Sequence, residues 1–378
     1  MPENYPAAPS GRIAGGRLMR RTHISEARSG HKLARPIWTE TGSILLGAGV
    51  ELNERYLGRL QQMGVDYIYI EDKRTSDIVS KDVLSDETRQ RSVEAVHRTM
   101  TSLMNHNGKE RFLAVKELGS TFRDVFKSIL TELPNRDDVV VNLVNMHARD
   151  GYLFHHAVNV AVLAGILGIA KGFNKDQLQD LGVGALLFDV GMTAFPDNVW
   201  KIKTELTDEQ RLRLQKHTEE GYNILRRQYD ISLLSAHCAL QHHERFNGTG
   251  YPRGLKGHEI HEYAQIVAIA DVYDALTSPR PYRKRYSPNE AIEFLYANGN
   301  QWFDLELIKL FCKYIAIYPV ASTVRLNTGQ IGVVSHVDPN ITNRPVVRII
   351  QEPDGSETRD AYEIDLREHV NITIVHTL

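Results

Sequence analysis

The chain has 378 residues, with 45 basic and 47 acidic side chains and a formal net charge of −2. This length exceeds one ordinary domain, and so balanced a charge excludes a general electrostatic attraction to nucleic acid or to an anionic membrane. Two cysteines, Cys238 and Cys312, are too few for a disulfide framework, which favours a reducing compartment. The N-terminus lacks the apolar core of a signal peptide, and the best membrane-span candidate, 157–170, is too short. We therefore expect a soluble, cytoplasmic protein.

The first part of the chain predicts a tail followed by a small α+β module. Residues 1–20 are rich in Pro, Gly, Ala and Arg without periodicity, and we place a flexible tail at 1–30. A helical pattern over 51–63 is flanked by short strand-like runs. Those runs lie at 36–38, 43–46 and 67–70. Together they predict an α+β module over 31–74.

Residues 75–135 predict a helical linker. One apolar stripe consists of Val93, Val96, Met100 and Leu103, and a second of Leu118, Phe122, Val125, Phe126 and Ile129. Such stripes serve equally well as packing within the chain and as the seam of a dimer, and both interpretations stay open.

The second half of the chain changes from helices to strands. Residues 136–316 are almost wholly helical in pattern, whereas strand-like runs follow Pro319. These runs, which predict a small β module over 317–378, lie at 323–326, 331–335, 345–350 and 371–375. The fold class is therefore multidomain: a mainly α helical-bundle core between a small α+β N-terminal module and a small C-terminal β module.

Five polar groups interrupt the apolar helices of the predicted bundle. They are His155-His156, Asp189, His217, His242-His243 and Asp271. Taken singly, each is usually a core or capping residue. Taken together, several imidazoles and two carboxylates on separate helices suit borderline divalent metals such as Fe, Mn, Co, Ni or Zn. The two oxygens of Asp189 could bridge two such ions, an arrangement that holds phosphates for in-line displacement.

The run 242–252 reads His-His-Glu-Arg-Phe-Asn-Gly-Thr-Gly-Tyr-Pro. Neighbouring side chains on a helix point about 100° apart, so adjacent imidazoles converge only where the helix ends and the backbone turns. Gly248, Gly250 and Pro252 supply that turn.

In this run, and in the block Asp271 to Arg283, the sequence resembles the HD-GYP family of the HD phosphohydrolase superfamily, over about 137–315. The resemblance implies an all-α bundle, a site of two or three metals, often iron or manganese, and hydrolysis of the bacterial messenger cyclic di-GMP to pGpG or GMP. Carried over by position, it implies metal ligands at His156, Asp189, His217, His242, His243 and Asp271. It also implies that Tyr251 lines the site and that Arg280 and Arg283 contact the phosphate or guanine. Asp189 and Tyr251 are the expected catalytic residues. A solvated basic loop is the alternative for the two arginines.

Two positions depart from the family's pattern. Phe188 stands where the family has the His that precedes Asp189, and Met192 stands where it usually has a Lys near the phosphate. Phe cannot ligate a metal, and Met cannot neutralise a phosphate. The ligand set of the second metal, Asp189 with the three histidines 217, 242 and 243, remains complete. We therefore expect one well-held metal beside a weak or empty neighbour.

Two functions follow from these residues. The first is a metal-dependent cyclic di-GMP phosphodiesterase, weakened by the two replacements. The second is a catalytically inactive member that binds the nucleotide or a partner protein in signalling. A general HD-type nucleotide phosphohydrolase and a purely structural helical scaffold are further alternatives. The expected cofactor is one or two divalent ions, Fe, Mn or similar. The expected partners are cyclic di-GMP or a related nucleotide and a second copy or signalling protein, with no nucleic acid polymer and no membrane.

Overall fold

The computed structural model of the protein places a helical bundle between two small modules that contain strands. It describes residues 19–39, 43–75, 77–78, 83–106, 117–133, 152–195, 207–278, 285–338 and 340–378. The multidomain, mainly α fold class predicted from the sequence is confirmed.

The N-terminal module contains two antiparallel strand pairs and one helix. Strand β1 (Met19–His23) pairs with β4 (Tyr67–Glu71), and β2 (Ile37–Trp38) pairs with β3 (Ile44–Leu46). Helix α1 (Glu54–Gln62) begins at Asn53, whose side chain accepts a hydrogen bond from the Tyr56 N–H. Residues 19–30, placed in the tail by the prediction, are therefore part of this module, because the polar strand β1 is held by pairing with β4 rather than by its own apolar pattern. The rest of the predicted tail lies outside the described residues.

Asp72 forms ion pairs with two arginines at the edge of this module. Its carboxylate accepts a hydrogen bond from Arg20 Nε at 2.8 Å and from Arg74 Nη2 at 2.7 Å. Burial alone would raise the pKa of Asp72, but the hydrogen bonds from the two arginines outweigh it and lower that pKa to about 2.

Helices α2 (Asp86–Asn105) and α3 (Leu118–Glu132) correspond to the predicted linker. Their apolar stripes are buried in the same core as the bundle that follows. For these faces the structure therefore supports the first interpretation, packing within the chain. Dimerisation stays a prediction that needs another surface.

The bundle is organised around helix α4 (Tyr152–Lys171), which contacts α2, α3 and three helices further along the chain. Contact on so many sides explains why α4 is apolar all round. By length and composition it is the one described helix that could cross a membrane, and it is longer than the stretch considered from the sequence, yet 89% of its most apolar window is buried inside the protein. It is therefore the core helix of the domain.

Seven further helices in the described part of the chain complete the bundle, and three of them pack directly against α4. They are α5 (Lys175–Leu187), α6 (Asp208–Gln215), α7 (His217–Leu225), α8 (Leu233–Gln241), α9 (Glu262–Thr277), α10 (Pro288–Ala297) and α11 (Leu305–Cys312). The predicted capping box at Thr207 and Gln210 is present and opens α6. Helix α8 packs against α5, α7 and α9, and this brings the ends of four helices to one place.

The C-terminal module is a five-stranded antiparallel sheet in the order β8-β7-β6-β5-β9. Its strands are β5 (Thr323–Leu326), β6 (Ile331–His336), β7 (Val346–Gln351), β8 (Glu357–Asp365) and β9 (Ile374–Thr377). Sequence analysis missed β8. This strand lies at the sheet edge, where only β7 pairs with it, and an edge strand does not need the apolar alternation by which strands are recognised.

The two small modules are joined to each other. The Arg21 N–H donates to the Ala321 carbonyl at 2.7 Å, and Met19 and Tyr69 share a small apolar core with Ala321, Val333 and Ile350. An ion pair between Arg348 and Asp77 also crosses the joint. Nothing local in the sequence predicts this contact, because the partners are about 300 residues apart.

Candidate metal centre

Helix ends deliver four potential ligands to one point. Asp189 directly follows α5 and its C-cap residue, His217 is the first residue of α7, and His242 is the C-cap of α8, followed by His243. The expectation that the adjacent imidazoles converge where their helix ends agrees with this geometry. Donor atoms of His217, His242 and His243 all lie within 4.8 Å of one another.

The hydrogen bonds of two of these imidazoles fix their tautomers. His217 Nδ1 lies 2.7 Å from the Leu214 carbonyl, and His242 Nδ1 lies 2.9 Å from the Cys238 carbonyl. A carbonyl oxygen only accepts, so both Nδ1 atoms carry the proton and both Nε2 atoms present a lone pair. Those two Nε2 atoms face each other at 3.2 Å. Two lone pairs at this distance repel unless a cation lies between them.

Asp189 completes this arrangement. Its Oδ1 lies 3.4 Å from His217 Nε2 and 3.7 Å from His242 Nε2. Donors bound at 2.0–2.2 Å to one ion are about 2.8–3.6 Å apart at octahedral or tetrahedral angles. The observed spacings are close to that range, so Asp189 and the histidines fit a divalent ion.

Burial keeps His242 and His243 in the form that ligates metals. It lowers the pKa of His242 to about 4, an effect to which the neighbouring His217 adds. Burial likewise puts the pKa of His243 well below its usual value. Neutral imidazole is the ligating form, and backbone carbonyls that orient the second ring nitrogen are a common feature of metal-binding histidines.

His156 and Asp271 form a second, neighbouring cluster. His156 Nε2 lies 3.0 Å from Asp271 Oδ1, and His156 Nδ1 lies 2.6 Å from Asp274 Oδ2. Burial disfavours the charged ring, but the hydrogen bonds to the two carboxylates outweigh it and raise the pKa of His156 to about 9. Without a metal, His156 is thus an imidazolium between two carboxylates. An ion that replaces its Nε2 proton would be held by His156 and Asp271, two of the residues predicted as metal ligands from the sequence.

Sequence analysis did not assign the residues that orient His156. Asn159 Nδ2 donates to Asp274 Oδ1 at 2.9 Å, and Arg89 Nη1 donates to Asn159 Oδ1 at 2.9 Å. Arg89 lies on α2, so a residue of the predicted linker helps to orient His156 through Asn159 and Asp274. The buried Asn159 within an apolar helix was the signal that could have revealed this series of hydrogen bonds. His155, by contrast, faces away and lies 3.2 Å from the Thr39 carbonyl.

Phe188 separates the two clusters. Its ring centroid lies 5.6 Å from that of His156 and 5.0 Å from that of His242, and the side chain is 1% exposed. Met192 is also buried, in the core of the bundle. Phe188 therefore fills the place where the clusters meet with apolar atoms, and Met192 adds to the apolar core.

The glycine-rich turn after the histidines is pinned by Glu244. This buried carboxylate accepts hydrogen bonds from the Arg253 and Leu255 N–H groups at 2.8 and 3.0 Å. A Cβ on Gly250 would lie 2.3 Å from the Arg245 nitrogen, so only glycine fits there. The turn stacks Tyr251 on His243, with ring centroids 4.8 Å apart. Tyr251 therefore lies beside the three clustered histidines, and its role at the site stays a prediction.

Two predicted ligand-contacting residues, Arg280 and Arg283, lie outside the described residues. Among the residues that are described, Arg245 is a cation beside the site that sequence analysis did not single out. Its guanidinium carbon lies 5.0 Å from the Trp302 ring centroid, and its buried Nη1 has no hydrogen-bond partner within the described part of the chain. Burial lowers its pKa, whereas the nearby Asp271 and Tyr251 act in the opposite direction.

Comparison with known proteins agrees with this geometry. Residues 138–307 match the HD domain family, and residues 323–378 match the KOW domain associated with HD domains. The central helical domain therefore matches the HD domain family, and the resemblance of the run 242–252 to the HD-GYP branch of that superfamily agrees with this match.

Curated relatives carry names from cyclic dinucleotide signalling. A cyclic di-GMP phosphodiesterase of Pseudomonas aeruginosa is 35% identical over 211 residues, which cover 56% of this chain and 51% of the relative. A cyclic di-GMP phosphodiesterase response regulator of Xanthomonas campestris is 36% identical over 157 residues, which cover 41% and 42%. A 3'3'-cGAMP-specific phosphodiesterase of Vibrio cholerae is 33% identical over 157 residues, which cover 42% and 36%. The chain thus spans about half the length, or less, of the relatives it matches.

Proposed function

We propose that the protein is a metal-dependent phosphodiesterase that hydrolyses cyclic di-GMP to pGpG or GMP. The observation that carries this proposal is the pair of Nε2 lone pairs of His217 and His242, which face each other at 3.2 Å beside Asp189. A buried arrangement of this kind calls for a cation. The names of the relatives support the substrate class, a cyclic dinucleotide.

In this proposal Asp189, His217, His242 and His243 hold one ion, and a weaker neighbouring site consists of His156 and Asp271 with the bridging Asp189. The bound ion would supply Lewis-acid polarisation of the phosphodiester and a water of lowered pKa. The chain's own residues do the positioning. Tyr251 stacks on His243 at the edge of the centre, and Glu244 holds the turn that carries it. Arg280 and Arg283 remain the proposed contacts to phosphate or guanine.

The activity is expected to be weak. Phe188 supplies no ligand between the clusters, and Met192 supplies no charge. Each lost element of transition-state charge stabilisation is worth about 2.7–4 kcal/mol, or about 10²–10³ in rate.

A second candidate function is a protein that binds the cyclic dinucleotide, or a partner protein, without turning it over. The specific observation in its favour is the fully buried ring of Phe188 between His156 and His242. Phe188 supplies no ligand for a second ion, whereas binding of a nucleotide to the first ion and to the turn does not require one. Both functions are proposed for the cytoplasm. Homodimerisation remains part of the proposal.

Cyclic di-GMP turnover under anaerobic conditions with Fe(II) or Mn(II) tests the proposal. The natural protein is compared with a Phe188→His, Met192→Lys double variant and with His242→Ala as the control that lacks a ligand. Turnover by the natural protein that disappears in His242→Ala supports the enzyme. Activity in the double variant alone supports the binding protein. Inactivity of all three, with no binding of cyclic di-GMP in calorimetry, would overturn both, and pGpG and 3'3'-cGAMP in parallel reactions test the choice of substrate.

A further inference from the structure

Two arginines meet at the joint between the three parts of the chain. Arg21 lies on β1 of the N-terminal module, and Arg285 lies between α9 and α10 of the bundle. Their guanidinium carbons lie 4.2 and 3.7 Å from the centroid of one aromatic ring, that of Tyr67 on β4.

These two cations are poorly neutralised. Arg21 is 9% exposed, and its Nε has no hydrogen-bond partner among the described residues. In the described part of the chain, the ion pairs involve other arginines, such as Arg20 with Asp72 and Arg348 with Asp77. Burial and repulsion by Arg21 lower the pKa of Arg285 to about 10, although Tyr67 and Asp66 act against this. A buried cation without a carboxylate is costly unless another anion accompanies it.

A small cavity lies beside both guanidinium groups. Its volume is about 40 Å³, enough for about three waters or one small oxyanion. The cavity wall includes Arg21 and Arg285, the tyrosine and threonine of α9 (Tyr273 and Thr277) and Pro319. No acidic side chain lines it among the described residues. The Thr277 hydroxyl donates to the Tyr273 carbonyl, so the donors left for an anion are the two planar guanidinium groups and the Tyr273 hydroxyl, against an apolar back wall.

We propose that this cavity binds a small tetrahedral oxyanion, such as inorganic phosphate, and that the anion ties the N-terminal module to the bundle and to the start of the C-terminal module. Arg21 comes from the first part, Arg285 from the second, and Pro319 from the segment that leads into the third. The site is separate from the candidate metal centre and does not depend on the proposed function.

Thermal unfolding of the full chain at increasing millimolar phosphate, with chloride at equal ionic strength as reference, tests this site. Phosphate at ten times its dissociation constant is expected to raise the melting temperature by about 2–4 °C. The test variant is Arg285→Gln. The matched control is Arg325→Gln, which removes the same charge from an exposed position on β5. Because each shift is measured within one variant, a lower starting stability does not affect the comparison.

The expected result is a phosphate-specific shift in the natural protein and in Arg325→Gln that is lost in Arg285→Gln. Should Arg285→Gln not fold, Arg21→Gln is expected to lose the shift in the same way. An equal shift in all variants would overturn the proposal, because it would mean that phosphate acts at the metal centre or as a general stabilising salt. The absence of any phosphate-specific shift in the natural protein would overturn it too.

Discussion

Phe188→His is the most informative change to the candidate metal centre. The ring of Phe188 lies 5.6 Å from His156 and 5.0 Å from His242, so an imidazole in its place would reach both clusters. In the metal-free protein this polar ring would be buried without a partner, which costs about 1–3 kcal/mol. A second ion removes that cost. At one hundred times its dissociation constant, the ion adds about 2.7 kcal/mol of stability.

The metal content after gel filtration and the melting temperature with and without Mn(II) measure this effect. We expect about one ion per chain in the natural protein and about two in Phe188→His. We also expect a melting temperature that falls by about 2–6 °C without metal and recovers with it. Phe188→Leu is the control, because it also loses the phenyl ring but gains no ligand, so Mn(II) should restore none of its loss. Two tightly held ions in the natural protein, or no additional ion in Phe188→His, would refute the reasoning.

Three further changes test other parts of the argument. His242→Ala removes one of the two facing lone pairs, and the metal content by mass spectrometry should fall below about a tenth of an ion per chain; retained metal would contradict the assigned ligands. Gly191→Ala places a Cβ 1.9 Å from the His217 carbonyl oxygen and should cost about 3 kcal/mol or more in urea unfolding. In Gly58→Ala the added Cβ meets open space on helix α1, and the free energy of unfolding should rise by about 0.5–1 kcal/mol. Equal changes in the two glycine variants would contradict the packing argument. The pKa of Asp72 is lowered to about 2, so its contribution to stability is complete above pH 4 and is lost as the pH falls through 2. Asp72→Asn should therefore flatten the acid side of the stability profile, and an unchanged profile would show that its ion pairs contribute nothing.

Local patterns predicted the helices of the bundle and the ends that carry the histidines. The uniformly apolar run of α4 and the turn after His243 are properties of short stretches, and short stretches are what sequence patterns report. The candidate ligands could be named because each one interrupts an apolar helix. How the two clusters divide around Phe188 could not be foreseen, since it depends on packing between α4, α5 and α8.

What the sequence could not reveal are contacts between distant residues. Asp274 and Asn159 orient His156 from helices more than a hundred residues apart, and neither helix carries a local sign of the other. Strand β1 forms because β4 pairs with it, although its own sequence is polar. The residues outside the described ranges include Arg280 and Arg283, whose proposed contacts stay predictions.

The joint between the two small modules has a mechanical consequence. Residue 19 begins β1, which pairs with β4 and bridges to Ser322. Residue 378 lies beside β5, where its N–H donates to the Thr323 carbonyl. Tension applied between these two points would first load the joint, and the helical domain would bear force only after the joint had opened. The contacts between the two small modules therefore close the chain into a loop, and the domain that carries the metal centre lies within that loop.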